Sequence, residues 1–252
     1  MYPLEMQVDL LVMGIVLGLF VVSAIRIKRI DLQDFVFLGG LFCYAASDIY
    51  WVLLLLLTGN SDYTMMTAVN IAEAGAMLFL TSMMQIREQR RFRLTPFVGG
   101  AILYLAACTG LWIAWNGHWI VNILSFAWYL PYVSQAALRM EDRLTRHEKM
   151  ALLYGVAVLI AAQLLTLAAG GGFYEFLNWL CFALCLAGTL LFLLHTLRPF
   201  REGLIPAMAL HLWAILWVYQ SDGIRYSIAR TFLVLSVVLV VVCYLRERGD
   251  RA

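Results

Sequence analysis

Residues 35–86 read FVFLGGLFCYAASDIYWVLLLLLTGNSDYTMMTAVNIAEAGAMLFLTSMMQI and consist of two long apolar runs joined by a short polar turn. Each run is long enough to cross the hydrocarbon core of a bilayer, which takes about 20 helical residues. Asp48 lies inside the first run, and Asn70 and Glu73 lie inside the second. An ionised carboxylate near the middle of a bilayer costs about 3 kcal/mol. These acids therefore indicate either a function or a specific packing role.

The composition places the whole chain in a membrane. Of its 252 residues, 63% are hydrophobic and 13% are charged, and the mean hydropathy is +0.83. Soluble globular domains contain about 25% charged residues, so the composition excludes that class. We expect an all-α polytopic transmembrane helical bundle that forms one domain over residues 1–252. Its surroundings are the lipid bilayer, and no nucleic-acid partner is expected.

Apolar runs long enough to span a bilayer recur along the sequence. They cover residues 7–25, 35–57, 64–86, 96–115, 119–138, 150–170, 174–197, 204–220 and 226–245, which predicts nine spans. The fourth and fifth runs are separated only by Asn116, Gly117 and His118, and the eighth run is short. Seven or eight crossings therefore stay open as alternatives.

The basic residues favour an odd number of crossings. Of the 18 lysines and arginines, 16 lie in every second connection or at the C-terminal end. Because basic residues concentrate in cytoplasmic loops, this pattern predicts an outside N-terminus and a cytoplasmic C-terminus. We expect the protein to lie in the plasma (inner) membrane.

The spacing of the polar residues in the first hairpin predicts a common site. Asp48 and Glu73 each lie nine residues from the predicted outer end of their span, about 14 Å deep at about 1.5 Å per residue. Tyr44, Asp48 and Trp51 share one helix face, and Asn70 shares a face with Glu73. We expect the two faces to meet, either as interhelical hydrogen bonds or as a ligand or proton site.

Two more polar residues lie in the outer halves of later spans. Gln163 is seven residues from the outer end of its span, and Arg230 lies one turn inside the last span. Arg230 is expected either to extend its guanidinium to the membrane surface, or to neutralise a buried acid or bind an anion. The candidate ligand- or proton-binding residues are therefore Asp48, Asn70, Glu73, Tyr44, Trp51, Gln163 and Arg230.

The sequence favours no enzyme activity. It contains no HExxH, DDxxD or GxSxG motif and no P-loop. Cys181 and Cys185 lie one turn apart, but no third Cys or His follows at a spacing typical of metal ligands. Lys28 and Lys149, the only lysines, lie at predicted cytoplasmic ends, which excludes a retinal Schiff base in mid-membrane. We expect no metal site and no cofactor.

Several short patterns carry a family resemblance. They are SDIYWVLL, VNIAEAGAMLFLTSMMQ, RRFRLTPFVGGAI, RMEDRLTRHEKMALL and IAAQLLT. The region 35–197 resembles the multi-pass membrane input regions of bacterial diguanylate cyclases and related sensor proteins, with matching positions at Asp48, Trp51, Asn70, Pro96 and Gln163. This chain ends at RERGDRA, where an output domain would begin, and it adds two spans. The resemblance therefore implies an output domain on a separate partner chain.

Three functions are compatible with these features. The first is a membrane sensor or regulatory protein that receives a ligand, or responds to a membrane condition, in an outward-facing polar cavity and signals to a separate cytoplasmic partner. The second is a small secondary transporter in which Asp48 and Glu73 exchange protons or cations with a substrate. The third is a structural subunit of a larger membrane complex, in which the buried polar groups specify packing.

Overall fold

The computed structural model describes residues 4–58, 68–197 and 203–249, and the regular structure in these ranges is entirely helical. The helices are α1 (Leu4–Arg26), α2 (Leu32–Thr58), α3 (Ala68–Arg87), α4 (Pro96–Asn116), α5 (Trp119–Glu141), α6 (Arg146–Thr166), α7 (Gly171–Leu197), α8 (Leu204–Val218) and α9 (Gly223–Gly249). The all-α prediction is confirmed for these ranges. The first four residues of the predicted third span, 64–67, lie outside them.

Seven of the described helices are long and apolar enough to cross a membrane, namely α1, α2, α3, α4, α6, α7 and α9. The helix α8 has only 15 residues. The helix α5 has 23 residues but includes Asn122, Ser125, Ser134 and Gln135 in its sequence. The seven apolar helices indicate a multi-pass membrane protein. The nine spans predicted from the sequence include two further helices, α5 and α8, which are not among these seven.

The short helix α8 lies at the centre of the bundle. All of its residues except Trp213 are buried, as expected for a helix that is hydrophobic on every side. It packs on α5, α7 and α9. The contacts among the other helices run from α1 through α2, α3, α5, α4, α6 and α7 to α9, which closes back on α1. These helices therefore surround α8.

Local sequence signals set several helix ends. The Thr95 side chain caps α4 by accepting a hydrogen bond from the backbone N–H of Val98, and Pro96 follows as the first helical residue. At the start of α6, Thr145 and Glu148 form a capping box. Gly117 ends α4 with a φ of 72°, a left-handed conformation that glycine adopts without steric cost. A very short connection can therefore join α4 and α5.

Charged side chains join helix ends at one end of the bundle, which we call the basic end. Arg248 Nε donates to Asp34 Oδ1 at 2.8 Å. Glu247 pairs with Arg87 and accepts a hydrogen bond from the backbone N–H of Leu204 at 3.2 Å. The C-terminal ends of α3 and α9 thus meet the N-terminal ends of α2 and α8.

The same end contains a fully buried arginine, Arg139 of α5. Its Nη2 donates to the carbonyl of Met84 at 2.9 Å and to the carbonyl of Glu88, and its Nη1 donates to the carbonyl of Gln135 at 3.1 Å. Carbonyl groups at a helix C-terminus lack intrahelical donors. Arg139 therefore supplies donors to the end of α3 and joins it to α5.

We expect Arg139→Met to lower the free energy of unfolding by about 3 kcal/mol, because it leaves buried carbonyls without their charged donor. The matched control is Arg146→Met. Arg146 is exposed at the start of α6, so its loss is expected to change the value by less than about 0.5 kcal/mol. Chemical unfolding in bicelles measures both, and equal losses in the two variants would contradict the capping role.

Candidate functional site

A buried ion-pair network lies in the half of the bundle opposite the basic end, called here the far half. Arg230 of α9 donates from Nε to Asp9 Oδ1 at 3.2 Å and from Nη2 to Asp48 Oδ1 at 2.9 Å. Asp9 belongs to α1 and is 4% exposed, and Asp48 belongs to α2 and is 7% exposed. One guanidinium therefore joins three helices through two buried carboxylates.

Asp9 is also bonded by two neutral donors. The indole Nε1 of Trp51 donates to Asp9 Oδ2 at 3.0 Å, and the Tyr226 hydroxyl donates to Asp9 Oδ1 at 3.0 Å. Together with Arg230, these donors contact both oxygens of the carboxylate. Hydrogen bonds from several donors compensate a carboxylate for its lost hydration. These three donors therefore fix the position of the Asp9 carboxylate.

Glu73 of α3 lies beside this network with different partners. The hydroxyls of Tyr129 and Tyr219 both donate to Glu73 Oε1, the second at 2.7 Å. Glu73 is also close enough to Arg230 and Asp48 to interact with them electrostatically. We refer to Asp9, Asp48, Glu73 and Arg230 as the acidic cluster. It contains three carboxyl groups and one guanidinium.

Asp48 has a buried carboxylate oxygen without a donor among the described residues. Its Oδ1 accepts from Arg230, whereas its Oδ2 is buried and has no hydrogen-bond partner in the part of the chain that the structure describes. A buried acceptor without a donor is costly. A cation bound to Oδ2 would supply the missing partner, and a proton there would remove the negative charge of the carboxylate.

The chemistry of the cluster suits a proton or an organic cation. Carboxyl groups exceed guanidinium groups, and aromatic side chains line the acids, as with Trp51 at Asp9 and Tyr129 at Glu73. The excess of carboxyl groups attracts a proton or a cation. Within residues 4–58, 68–197 and 203–249, no group of three or more His, Cys, Asp or Glu side chains is arranged to hold a metal ion.

The structure brings most of the predicted site residues together. Asp48, Trp51, Glu73 and Arg230 belong to the cluster or donate to it. Tyr44 lies close to Asp48 and Arg230. Asn70 lies one turn before Glu73 on α3. Asp48 and Glu73 are not hydrogen-bonded to each other, because Asp48 accepts from Arg230 and Glu73 accepts from Tyr129. Of the two roles expected for Arg230, the structure has the one in which it pairs with a buried carboxylate.

Gln163, the seventh predicted residue, belongs to a separate polar group. Its Nε2 donates to Gln220 Oε1, which also accepts from the Tyr104 hydroxyl at 3.2 Å. Gln220 Nε2 donates in turn to Cys108 Sγ at 2.8 Å. This group links α4 and α6 to the segment after α8, and none of the hydrogen bonds described here reaches Asp48.

Four residues of the site were missed by the sequence analysis, namely Asp9, Tyr129, Tyr219 and Tyr226. Of these four, Asp9 could have been predicted as a site residue, because it is an acid inside the first apolar run. A buried Arg230 needs a carboxylate partner, so each intramembrane acid was a candidate for it. The tyrosines had no such signal, since tyrosine is also common at membrane interfaces.

Comparisons with known proteins return no family model, no curated protein and no solved structure that matches this chain. No function is therefore transferred to it from a relative. The acidic cluster and its connections through the bundle are the features from which a function has to be argued.

We expect Arg230→Gln to lower the free energy of unfolding by about 3 kcal/mol, because it leaves two buried carboxylates without a cation. The matched control is Arg225→Gln on the same helix. The Arg225 side chain is also 11% exposed, but its partners Asp222 and Glu175 are 68% and 58% exposed. Water can solvate these two carboxylates when the arginine is lost, so the expected cost is less than about 1 kcal/mol.

A second variant separates charge pairing from packing. Adding Asp48→Asn to Arg230→Gln removes one of the unpaired carboxylates, so part of the lost stability should return. Chemical unfolding in bicelles measures all the variants. Equal losses for Arg230→Gln and Arg225→Gln, without any recovery in the double variant, would contradict the ion-pair network.

Proposed function

We propose that the protein is a multi-pass membrane sensor or regulatory protein. The acidic cluster receives a proton or a small organic cation from outside the cell. Helix α9 passes the resulting change to the basic end, where a separate cytoplasmic signalling protein, or a partner in a membrane complex, responds to it. The proposal rests on the way that α9 connects the two ends of the bundle.

Helix α9 carries charged groups that bind neighbouring helices in both halves. In the far half, Arg230 contacts α1 and α2. At the basic end, Glu247 pairs with α3 and accepts from the first residue of α8, while Arg248 pairs with Asp34 of α2. The 17 residues from Arg230 to Glu247 correspond to about 26 Å of helix at about 1.5 Å per residue. A shift of α9 would change contacts at both ends.

The charge of Asp48 supplies the two states that a sensor needs. Ionised Asp48 holds Arg230, and with it α9, against α2. A proton or a cation at Asp48 weakens this attraction, since a neutralised carboxylate loses its charge-assisted bond. Because the ligand then interacts differently with the bound and released arrangements, it shifts the equilibrium between them.

The proposed membrane topology has nine crossings, with the N-terminus outside and the C-terminus in the cytoplasm, in the plasma (inner) membrane. Two observations support it. The helix termini that meet at the basic end are N-terminal for the even-numbered helices α2 and α8 and C-terminal for the odd-numbered helices α3 and α9. The helix α5 also reaches both halves, because Tyr129 contacts Glu73 and Arg139 contacts Glu88.

The proposal agrees with the resemblance to the input regions of bacterial diguanylate cyclases and related sensors. Asp48 and Trp51, two of the residues that carry that resemblance, both contribute to the network at Arg230. Gln163 lies in the other polar group. Under this proposal, the partner chain that carries the output meets the basic end.

A proton- or cation-coupled transporter is the second candidate. The observation that favours it is Asp48 Oδ2, a buried acceptor without a hydrogen-bond partner among the described residues. Transport also requires access to the cluster from the basic end, whereas sensing does not. A purely structural subunit, the third candidate, requires no response to ligand at all.

Hydrogen–deuterium exchange in nanodiscs tests the sensor. Asp48→Asn mimics the neutralised acid, so at neutral pH the amides of residues 244–249 should exchange about tenfold faster than in the wild type, equivalent to about 1.4 kcal/mol. Acidification should reduce this difference, because the wild-type carboxyl then takes up a proton. Comparing variants at one pH cancels the effect of acid on intrinsic exchange rates.

Glu175→Gln is the matched control for that experiment. Glu175 is an exposed acid that pairs with Arg225 outside the cluster, so its neutralisation should leave exchange at residues 244–249 unchanged. If Asp48→Asn behaves like Glu175→Gln at every pH, signalling through α9 is overturned and the structural role is favoured.

Ion flux separates sensing from transport. We expect no proton or cation flux through proteoliposomes that contain the wild-type chain, because a sensor needs no path across the bundle. Flux in the wild type that disappears in folded Asp48→Asn or Glu73→Gln would establish transport instead. Circular dichroism and size-exclusion chromatography of each variant show that the variants are folded.

A further inference from the structure

An apolar pocket lies between α4, α5, α6, α7 and α8, away from the acidic cluster. Its empty space, mouth included, is about 620 Å³. Ala101 of α4, Ala136 of α5 and Ala209 of α8 form part of its wall. Small side chains at these positions leave the space between the helices open.

The pocket wall has no group that would hold water. Tyr104 and Trp213 are the described lining residues whose side chains carry a nitrogen or oxygen atom. The Tyr104 hydroxyl already donates to Gln220, and Trp213 Nε1 donates to the carbonyl of Cys185 at 2.9 Å. A buried water needs two to four polar partners, and apolar cavities stay dry or take up apolar molecules. Any molecule that fills the pocket must therefore be apolar at the atoms that contact this wall.

The pocket starts close to the basic end and extends toward the middle of the bundle. On α4 it is lined from Phe97 to Tyr104, and on α5 from Met140 back to Val133. Seven residues of helix correspond to about 10 Å along the axis. This direction is the one that an acyl chain takes when its headgroup lies at the membrane surface beside the basic end.

Exposed arginines lie at the starts of the two helices beside this end of the pocket. Arg93 precedes the first residue of α4 by three positions, and Arg146 is the first residue of α6. Both are exposed, and α4 packs directly on α6. Basic residues between transmembrane helices on the cytoplasmic side attract anionic lipid headgroups.

We propose that this pocket binds one acyl chain of an anionic phospholipid, whose headgroup is held by Arg93 and Arg146. The site is independent of the function proposed for the acidic cluster. It would let the protein retain an anionic lipid in preference to a zwitterionic one of the same chain length.

Native mass spectrometry tests the site after reconstitution into nanodiscs of equal amounts of phosphatidylglycerol and phosphatidylcholine with identical chains. The wild type should retain phosphatidylglycerol in excess. Arg93→Gln and Arg146→Gln should each reduce that preference about fivefold, the effect of one arginine near an anionic surface. Arg26→Gln, an exposed arginine at the end of α1, should leave the preference unchanged.

The chain site is tested by Ala101→Phe, which fills the pocket, against Ala106→Phe on the exposed face of α4. Only Ala101→Phe should reduce the amount of retained lipid. Equal retention of the two lipids by the wild type, or equal effects of Arg93→Gln and Arg26→Gln, would overturn the proposal. The arginine variants lie outside the core, so they decide the question even if Ala101→Phe fails to fold.

Discussion

The guanidinium of Arg230, buried among apolar helices, is the constraint on which the far half of the bundle depends. Its side chain is 11% exposed, and an unpaired charge at such a site would cost several kcal/mol. Asp9 and Asp48 reach it from two different helices, so α1, α2 and α9 must come together there. Any arrangement that separates them leaves a charge without a partner.

Glu73 joins a second set of helices, and it does so through neutral hydrogen-bond donors instead of a guanidinium. Two tyrosine hydroxyls, from α5 and from the residue after α8, meet on one oxygen of this α3 side chain. Neutral donors make fewer electrostatic demands than a guanidinium, so this contact tolerates a change in the charge of Glu73 better than the Arg230 contact tolerates a change at Asp48. The two acids at similar depth are therefore not equivalent, and Asp48 is the one tied to α9.

The sequence was sufficient for the class of fold and for much of the cluster, because both follow from the cost of polar groups in lipid. Length and hydropathy predict the helices, and the depth of Asp48 and Glu73 marks them as residues that need partners. The order of the helices around the bundle could not be predicted from the sequence. The neighbours of α3 and α6 include α5 and α4 respectively, and nothing in the spacing of residues predicts which non-consecutive helices meet. For the same reason the partners of Gln163 could not be predicted, and Tyr129 and Tyr219 were missed.

Charge placement along α9 explains why the proposed sensing function is assigned to this helix rather than to the central α8. All residues of the helix α8 except Trp213 are buried, and α8 packs on α5, α7 and α9, so displacing it would disturb several helix contacts at once. The contacts of α9 with its neighbours include ion pairs at Arg230, Glu247 and Arg248, whose strength depends on charge and can change without a change in packed volume. Neutralising Asp48 therefore acts on the element that can respond to it. In the proposed sensor, the link from the acidic cluster to the basic end depends on the rigidity of one continuous helix, Gly223–Gly249.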